Sequence, residues 1–207
     1  DHYNRASALA AKKDVMGEPI KIIEAANTGI ENIQNLLNQM KSLASAAKTS
    51  DNAGDLFTQY NDILDQVGLM AQDSNYGGQN LVQVATGGAA GDNDLSVEFN
   101  EDGSNTLTVV GFDTQVDAGA LTISDADGAN ATLTAVADFD SNANIETAIG
   151  QIDDVINQLR TESQKLSSNL STIQIRSDFT NAMVNTLNTG ADNLTLADMN
   201  EEGANML

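Results

Sequence analysis

Between Ile23 and Ala47 apolar side chains recur at Ile23, Ala26, Ile30, Ile33, Leu37, Met40, Ala44 and Ala47. Steps that alternate between three and four residues, sustained for about three heptads, predict a helix lying along another helix. Pro19 falls near its first turn, where a missing N–H costs little. The Ala- and Lys-rich stretch from Tyr3 to Met16 predicts a preceding helix, with Gly17 as the break. Thr49 to Gly54 is a cluster of turn and cap residues. A second helix is expected from Asp55 to Gln72, with Phe57, Tyr60, Ile63, Leu64, Val67, Met70 and Ala71 on one face. The run from Asp73 to Gly78 ends it, glycine being the residue that exits a helix left-handed at least cost.

A third helical stripe begins at Asn144 and runs to Asn188 through Ile145, Ile149, Ile152, Ile156, Leu159, Ser163, Leu166, Leu170 and Ile173, then Phe179, Met183 and Leu187. Such a helix is on the order of 65 Å long, more than a compact globule of this size accommodates. The expectation is therefore an elongated antiparallel helical rod.

Residues 81–140 change period. Leu95–Phe99 and Thr106–Val110 flank an Asn/Asp/Gly-rich turn, and so do Leu121–Ser124 and Thr132–Val136. Alternation over four or five residues on either side of such a turn predicts two β-hairpins. The expected fold class is mainly α with inserted β. Residues 1–80 and 144–207 form the two parts of the rod, and residues 81–143 a small β-hairpin-rich outer module.

Charge narrows the function. Lys and Arg total 9 against 30 Asp and Glu, a formal net charge of −21 over 207 residues. Such a chain is repelled by phosphate backbones and anionic lipid heads, so neither nucleic acid nor membrane insertion is expected. All nine cations lie in 5–48 or 160–176. The absence of Cys excludes disulfides and thiolate chemistry, and a single His (His2) leaves no His-based triad or His-rich metal site. No run is long and apolar enough to span a bilayer, and no basic-then-apolar leader opens the sequence.

Candidate chemistry is sparse. Asp125, Asp127 and Asn130 space oxygen donors as in the first half of a calcium loop, but Val136 stands where the bidentate Glu would be. Asp-Gly is also a common turn dipeptide, and the turn reading is preferred. The adjacent acids Asp153-Asp154 and Glu201-Glu202 point about 100° apart on a helix, so neither is a catalytic dyad. The Gly-rich stretch 87–91 lacks the Lys-Ser/Thr and helix that would cradle phosphate. No His-Glu-x-x-His occurs. No catalytic residue, cofactor or metal is expected, and the protein is not expected to be an enzyme.

Three stretches together resemble bacterial flagellin. Ile23 to Leu37 is similar to the family's first rod helix. Tyr76-Gly77-Gly78-Gln79-Asn80-Leu81 resembles the Asn-Gly-x-Asn-Leu turn after its second helix, and Ala197-Asp198-Met199-Asn200-Glu201-Glu202-Gly203-Ala204-Asn205 resembles its C-terminal Ala-Asp-x-x-x-Glu-x-x-Asn pattern. The resemblance implies the rod domain and variable outer module of a motility-filament subunit, without the terminal coiled-coil segments. It implies other subunits as partners, an export chaperone, a filament cap, and an extracellular location reached without a cleaved signal peptide. Hook–filament junction proteins share the helical pattern and are the alternative reading. A polysaccharide-binding role for residues 81–140 is another, poorly served by three Phe and no cation there. Toll-like receptor 5 recognises the rod of many flagellins through an Arg-bearing stretch that aligns with 37–44. Here Gln39 and Lys41 replace the two arginines beside Met40 and Leu43, and Gln lacks the charged fork of Arg. The resemblance therefore implies weak activation of that receptor.

Overall fold

The computed structural model describes residues 2–128 and 130–206. Ala129, in the Asp125–Asn130 turn, and Leu207, at the end of the C-terminal motif, lie outside the described residues. The elements are α1 (His2–Val15), α2 (Gly17–Ala47), α3 (Ala53–Asp73), β1 (Leu95–Glu98), β2 (Thr106–Val109), β3 (Phe112–Asp117), β4 (Ala120–Asp125), β5 (Asn130–Leu133) and α4 (Asn142–Asn205). The fold is mainly α, with small antiparallel sheets inserted between α3 and α4.

The chain forms two compact units. One gathers the residues up to Ile20, Ser96–Thr108, and those from Leu170 onward; the other comprises Lys21–Leu95 and Val109–Asn169. Of residues 81–143, the β1–β2 hairpin thus falls largely in the first unit and the β3–β4–β5 sheet in the second.

In the second unit the α2 stripe is the core. Every position from Ile23 to Ala47 named for its spacing is buried, six of them with no exposed surface at all. α2 and α4 run antiparallel. Ser163 donates to Asn27 Oδ1 at 3.1 Å, Gln34 Nε2 to the Ile156 carbonyl at 3.5 Å, Lys41 to Asp153 at 2.6 Å and Lys48 to Glu146 at 3.1 Å. The α2 number rises as the α4 number falls, which only an antiparallel pair allows. From α3 come Tyr60, Leu64, Val67 and Ala71, all buried. Phe139 sits edge-on to Phe57 and Tyr60 at 5.1 and 5.0 Å, filling the core where small residues would leave voids.

Glycine is required by one close approach and by one left-handed turn. Gly29 of α2 lies against Ser74, the residue that ends α3 and donates through Oγ to the Met70 carbonyl at 2.6 Å. The turn after α3 is built from Gly77 (φ 59°) and Gly78 (φ 85°), which let Tyr76 and Gln79 exchange both backbone hydrogen bonds at 3.0 Å. Asn80 then serves both sides of the turn. Its amide donates to the Ala71 and Gln72 carbonyls, and its oxygen accepts from the Val82 and Gln83 amides. It satisfies helix-end carbonyls that the backbone cannot.

Strand β3 is absent from the sequence expectation. It pairs antiparallel with β4 through a two-residue turn, Ala118 (φ 48°) and Gly119 (φ 83°), with Asp117 opposite Ala120. A turn with two left-handed residues is normally signalled by Asn-Gly or Asp-Gly, and Ala118 hides it. Helix α4 also exceeds its expected end at Asn188, reaching Asn205 through Gly190. Leu187 packs with Ala6 and Leu9 of α1, and Ala191 is buried, so tertiary contact carries the helix past the weak point. Of the α4 stripe, Phe179 is half-exposed while Thr180 is buried, and Glu162 rather than Ser163 takes the core position.

Two substitutions test this description by urea unfolding. Ala is favoured over Gly inside a helix by about 1 kcal/mol. A Cβ on Gly29 would nevertheless stand 1.9 Å from Ser74 Oγ and 2.6 Å from its Cβ. Gly29→Ala is therefore expected to lower stability by about 1–3 kcal/mol, as overpacking does, and to be tolerated once Ser74 is Gly. Ala118→Asn, suited to the left-handed region, is expected to raise stability by roughly 0.5–1 kcal/mol.

Candidate assembly surface

The first unit is held by a small apolar contact and a ring of polar ones. Ala6, Leu9 and Leu187 form its core cluster, with Met183 and Val184 against it. The Tyr3 hydroxyl donates to Asp192. Arg5 donates to Glu101 at 2.6 Å, and Lys12 pairs with Glu98 of β1. Arg176 lays its guanidinium 4.8 Å above the Phe99 ring and 5.6 Å from that of Phe179, a stacked arrangement suited to Arg. The 99–105 loop is closed by Phe99 N–H to Asn105 O at 2.9 Å. Asp102 accepts from the Ser104 amide, which holds its carboxyl below the usual range.

Beyond Ala191 no described residue of α4 is buried. Leu194 continues the Leu187/Ala191 face, whereas Leu196 lies about 180° from Leu187 around the helix and Met199 about 120°. All three are more than half exposed, as are Ile175 and Phe179. A helix with apolar side chains on opposing sides is ordinarily surrounded. These exposed apolar side chains are spread around the helix and have no covering partner within the described residues.

The receptor-equivalent residues divide. Gln39 is exposed and Leu43 half-buried, but Met40 is fully buried in the α2 core. Lys41 binds both oxygens of Asp153, at 2.6 and 2.8 Å, so its charge is neutralised within the α2–α4 seam.

The calcium-spaced residues also divide. Asp125 is the third inward position of β4 after Leu121 and Ile123, and its side chain is 1% exposed. Lys165 Nζ donates to Asp125 Oδ2 at 2.9 Å and lies 4.0 Å from Asp127, while Asp127 and Asn130 face solvent. The ammonium occupies the side of Asp125 from which a cation would be held. Among the described residues no group of three or more His, Cys, Asp and Glu is arranged to hold a metal. The same Lys165 reaches Glu162 Oε1 at 3.5 Å, and Gln158 donates to that oxygen at 2.8 Å. Burial pushes the Glu162 carboxyl up, partly opposed by Lys165; the hydrogen bond to Asp125 holds the Lys165 ammonium up. Sequence reading missed this cluster. Its signal was an acid at a stripe position of α4 and another at an inward position of a strand.

A cavity of about 660 Å³ in the second unit is lined largely by amides. Gln79, Asn80, Gln83 and Asn93 donate their amide hydrogens to main-chain carbonyls, and Asp92 accepts from the Ala89 amide. These side chains support the turn after α3 and present no acid–base pair.

With this geometry, the chain superposes on the crystal structure of Bacillus cereus flagellin. The TM-score is 0.55 at 20% identity, covering 80% of this chain and 88% of that one. The fold is flagellin-like. No protein-family model matches the sequence, and no curated protein matches it. Among the described residues no helix of this flagellin-like chain is long and apolar enough to cross a membrane.

If Lys165 holds Asp125, calcium gains nothing there. Addition of on the order of 5 mM calcium, above the dissociation constants of extracellular calcium modules, is expected to leave the thermal midpoint unchanged in a melting scan.

Proposed function

We propose that this chain is a structural subunit of the bacterial flagellar filament, acting through helix packing between subunits and not through an active site. The observation that carries the reading is the C-terminal part of α4, where Leu194, Leu196 and Met199 expose apolar surface on opposing sides. The flagellin-like fold supports it. In this reading residues 1–80 and 144–207 are the helical rod and residues 81–143 the outward-facing portion. Other copies of the chain are the principal partners, with an export chaperone and a filament cap serving its delivery. The protein acts outside the cell, in the flagellum. A subunit that packs through helix faces requires no cofactor.

Electron microscopy of the protein as its cell exports it tests the proposal: long helical filaments are expected. The double variant Leu194→Asp/Met199→Asp is expected to abolish polymerisation. Its circular dichroism should match the unsubstituted chain, because neither side chain contributes to the core. Filaments forming at the unsubstituted rate in that variant would sink the reading.

A further inference from the structure

Six of the nine cations pair with carboxylates: Arg5, Lys12, Lys21, Lys41, Lys48 and Lys165. Arg176 does not, in a chain that carries 30 acids. Among the described residues its guanidinium donates no hydrogen bond, and its Nε is buried without an acceptor. A buried donor left in that state costs free energy until an acceptor reaches it. The stack on Phe99 at 4.8 Å engages the flat face of the guanidinium and leaves the N–H fork for another partner.

Arg176 lines two cavities of the first unit. In one, of about 400 Å³, the acids are already engaged: Glu101 accepts from Arg5 and Asp102 from the Ser104 amide. The other, of about 440 Å³, is lined by Phe99, Leu107, Thr172, Arg176 and residues 104–106, and contains no acid at all. Its single charge is the guanidinium, so it suits a carboxylate. Ile175, next to Arg176 in sequence, is 65% exposed, and Phe179, whose ring lies 5.6 Å from the guanidinium, is 52% exposed. A free Arg set among aromatic and exposed apolar side chains is the composition of an interface anchor.

We propose that Arg176 receives Asp198 of a second copy of this chain, joining subunits head to tail. The inference rests on the filament reading and names one contact within it. Asp198 is exposed and has no partner among the described residues. It stands one turn beyond Leu194, on the same face of α4, where nothing described covers either residue. An acid and an apolar side chain are thus offered together, matching a guanidinium walled by Phe99 and Leu107. Asp192, the preceding acid on this segment, is already taken by the Tyr3 hydroxyl. Arg176 and Asp198 lie on the order of 33 Å apart along α4, so no copy satisfies its own guanidinium. Two different surfaces meet, and a contact of that kind continues from copy to copy.

The test is polymerisation of the protein as its cell exports it, read by sedimentation and electron microscopy. Arg176→Asp and Asp198→Arg are each expected to raise the critical concentration for assembly by about tenfold or more, as reversing one partner of a charged contact does. The double variant Arg176→Asp/Asp198→Arg rebuilds the pair with its signs exchanged and is expected to recover most of that loss. A role for Arg176 confined to the Phe99 stack would not be repaired by a change at Asp198. If the unsubstituted protein forms filaments, either single variant assembling normally would overturn the inference and leave the filament reading standing. So would a double variant that assembles no better than Arg176→Asp. No polymer from the unsubstituted protein would sink both.

Discussion

The second unit depends on one seam: the apolar stripe of α2 laid antiparallel along α4. Burial of the Ile23–Ala47 stripe removes a continuous row of branched and small side chains from water, at about 25 cal/mol per Å² of apolar surface. Its polar contacts mark the register more than they stabilise. The Lys41–Asp153 and Lys48–Glu146 pairs are a third or more exposed at each partner, and such pairs contribute only about 0–1 kcal/mol. They matter in another way. An acidic chain with few cations has used these two to fix one helix against the other, which leaves little positive surface for a partner to read.

The β segments are attached to this helical frame by different means in the two units. In the second unit Gly68 lets α3 approach Val116 of β3, with a Cβ-to-side-chain distance that would be 3.2 Å, and the amide network of Asn80 and Asn93 ties the post-α3 turn to Phe112. In the first unit the β1–β2 hairpin is held by Lys12, Arg5 and Arg176, each reaching it with a charged side chain. Neutral amides tie β3 in the second unit, where the Lys165–Asp125 pair also reaches β4, whereas the β1–β2 hairpin is held by cations alone among the side-chain contacts named above. The cation-held hairpin is accordingly the more sensitive to salt.

Asp125 and Glu162 place two acids at core positions of the second unit, shared by Lys165. Replacing a buried ion cluster with apolar residues is often neutral or stabilising, so polar groups there call for a reason beyond packing. Tyr60 differs: its hydroxyl is buried without a partner, and burial raises its pKa, yet its ring packs with Phe57 and Phe139. There the aromatic surface accounts for the residue, and the hydroxyl is a cost.

The spacing of apolar residues by itself determined α1 to α3, the register of the α2 stripe, and the existence of both Asn/Asp/Gly-rich hairpins, although β5 spans Asn130–Leu133 and not the expected Thr132–Val136, because side-chain period is a local property that burial then enforces. It also placed the Tyr76–Leu81 turn, whose glycines and Asn80 act within a few residues of one another. Tertiary structure decided the rest. Helix α4 passes Gly190 because α1 packs on Leu187, a partner more than 170 residues away in the chain. Strand β3 forms because β4 lies beside it, through a turn whose Ala118 carries no local signal. Lys165, Asp125 and Glu162 meet because the end of β4 and a face of α4 converge. No local period encodes which solvated-looking acids will share one ammonium, since that depends on distances the chain acquires only on folding.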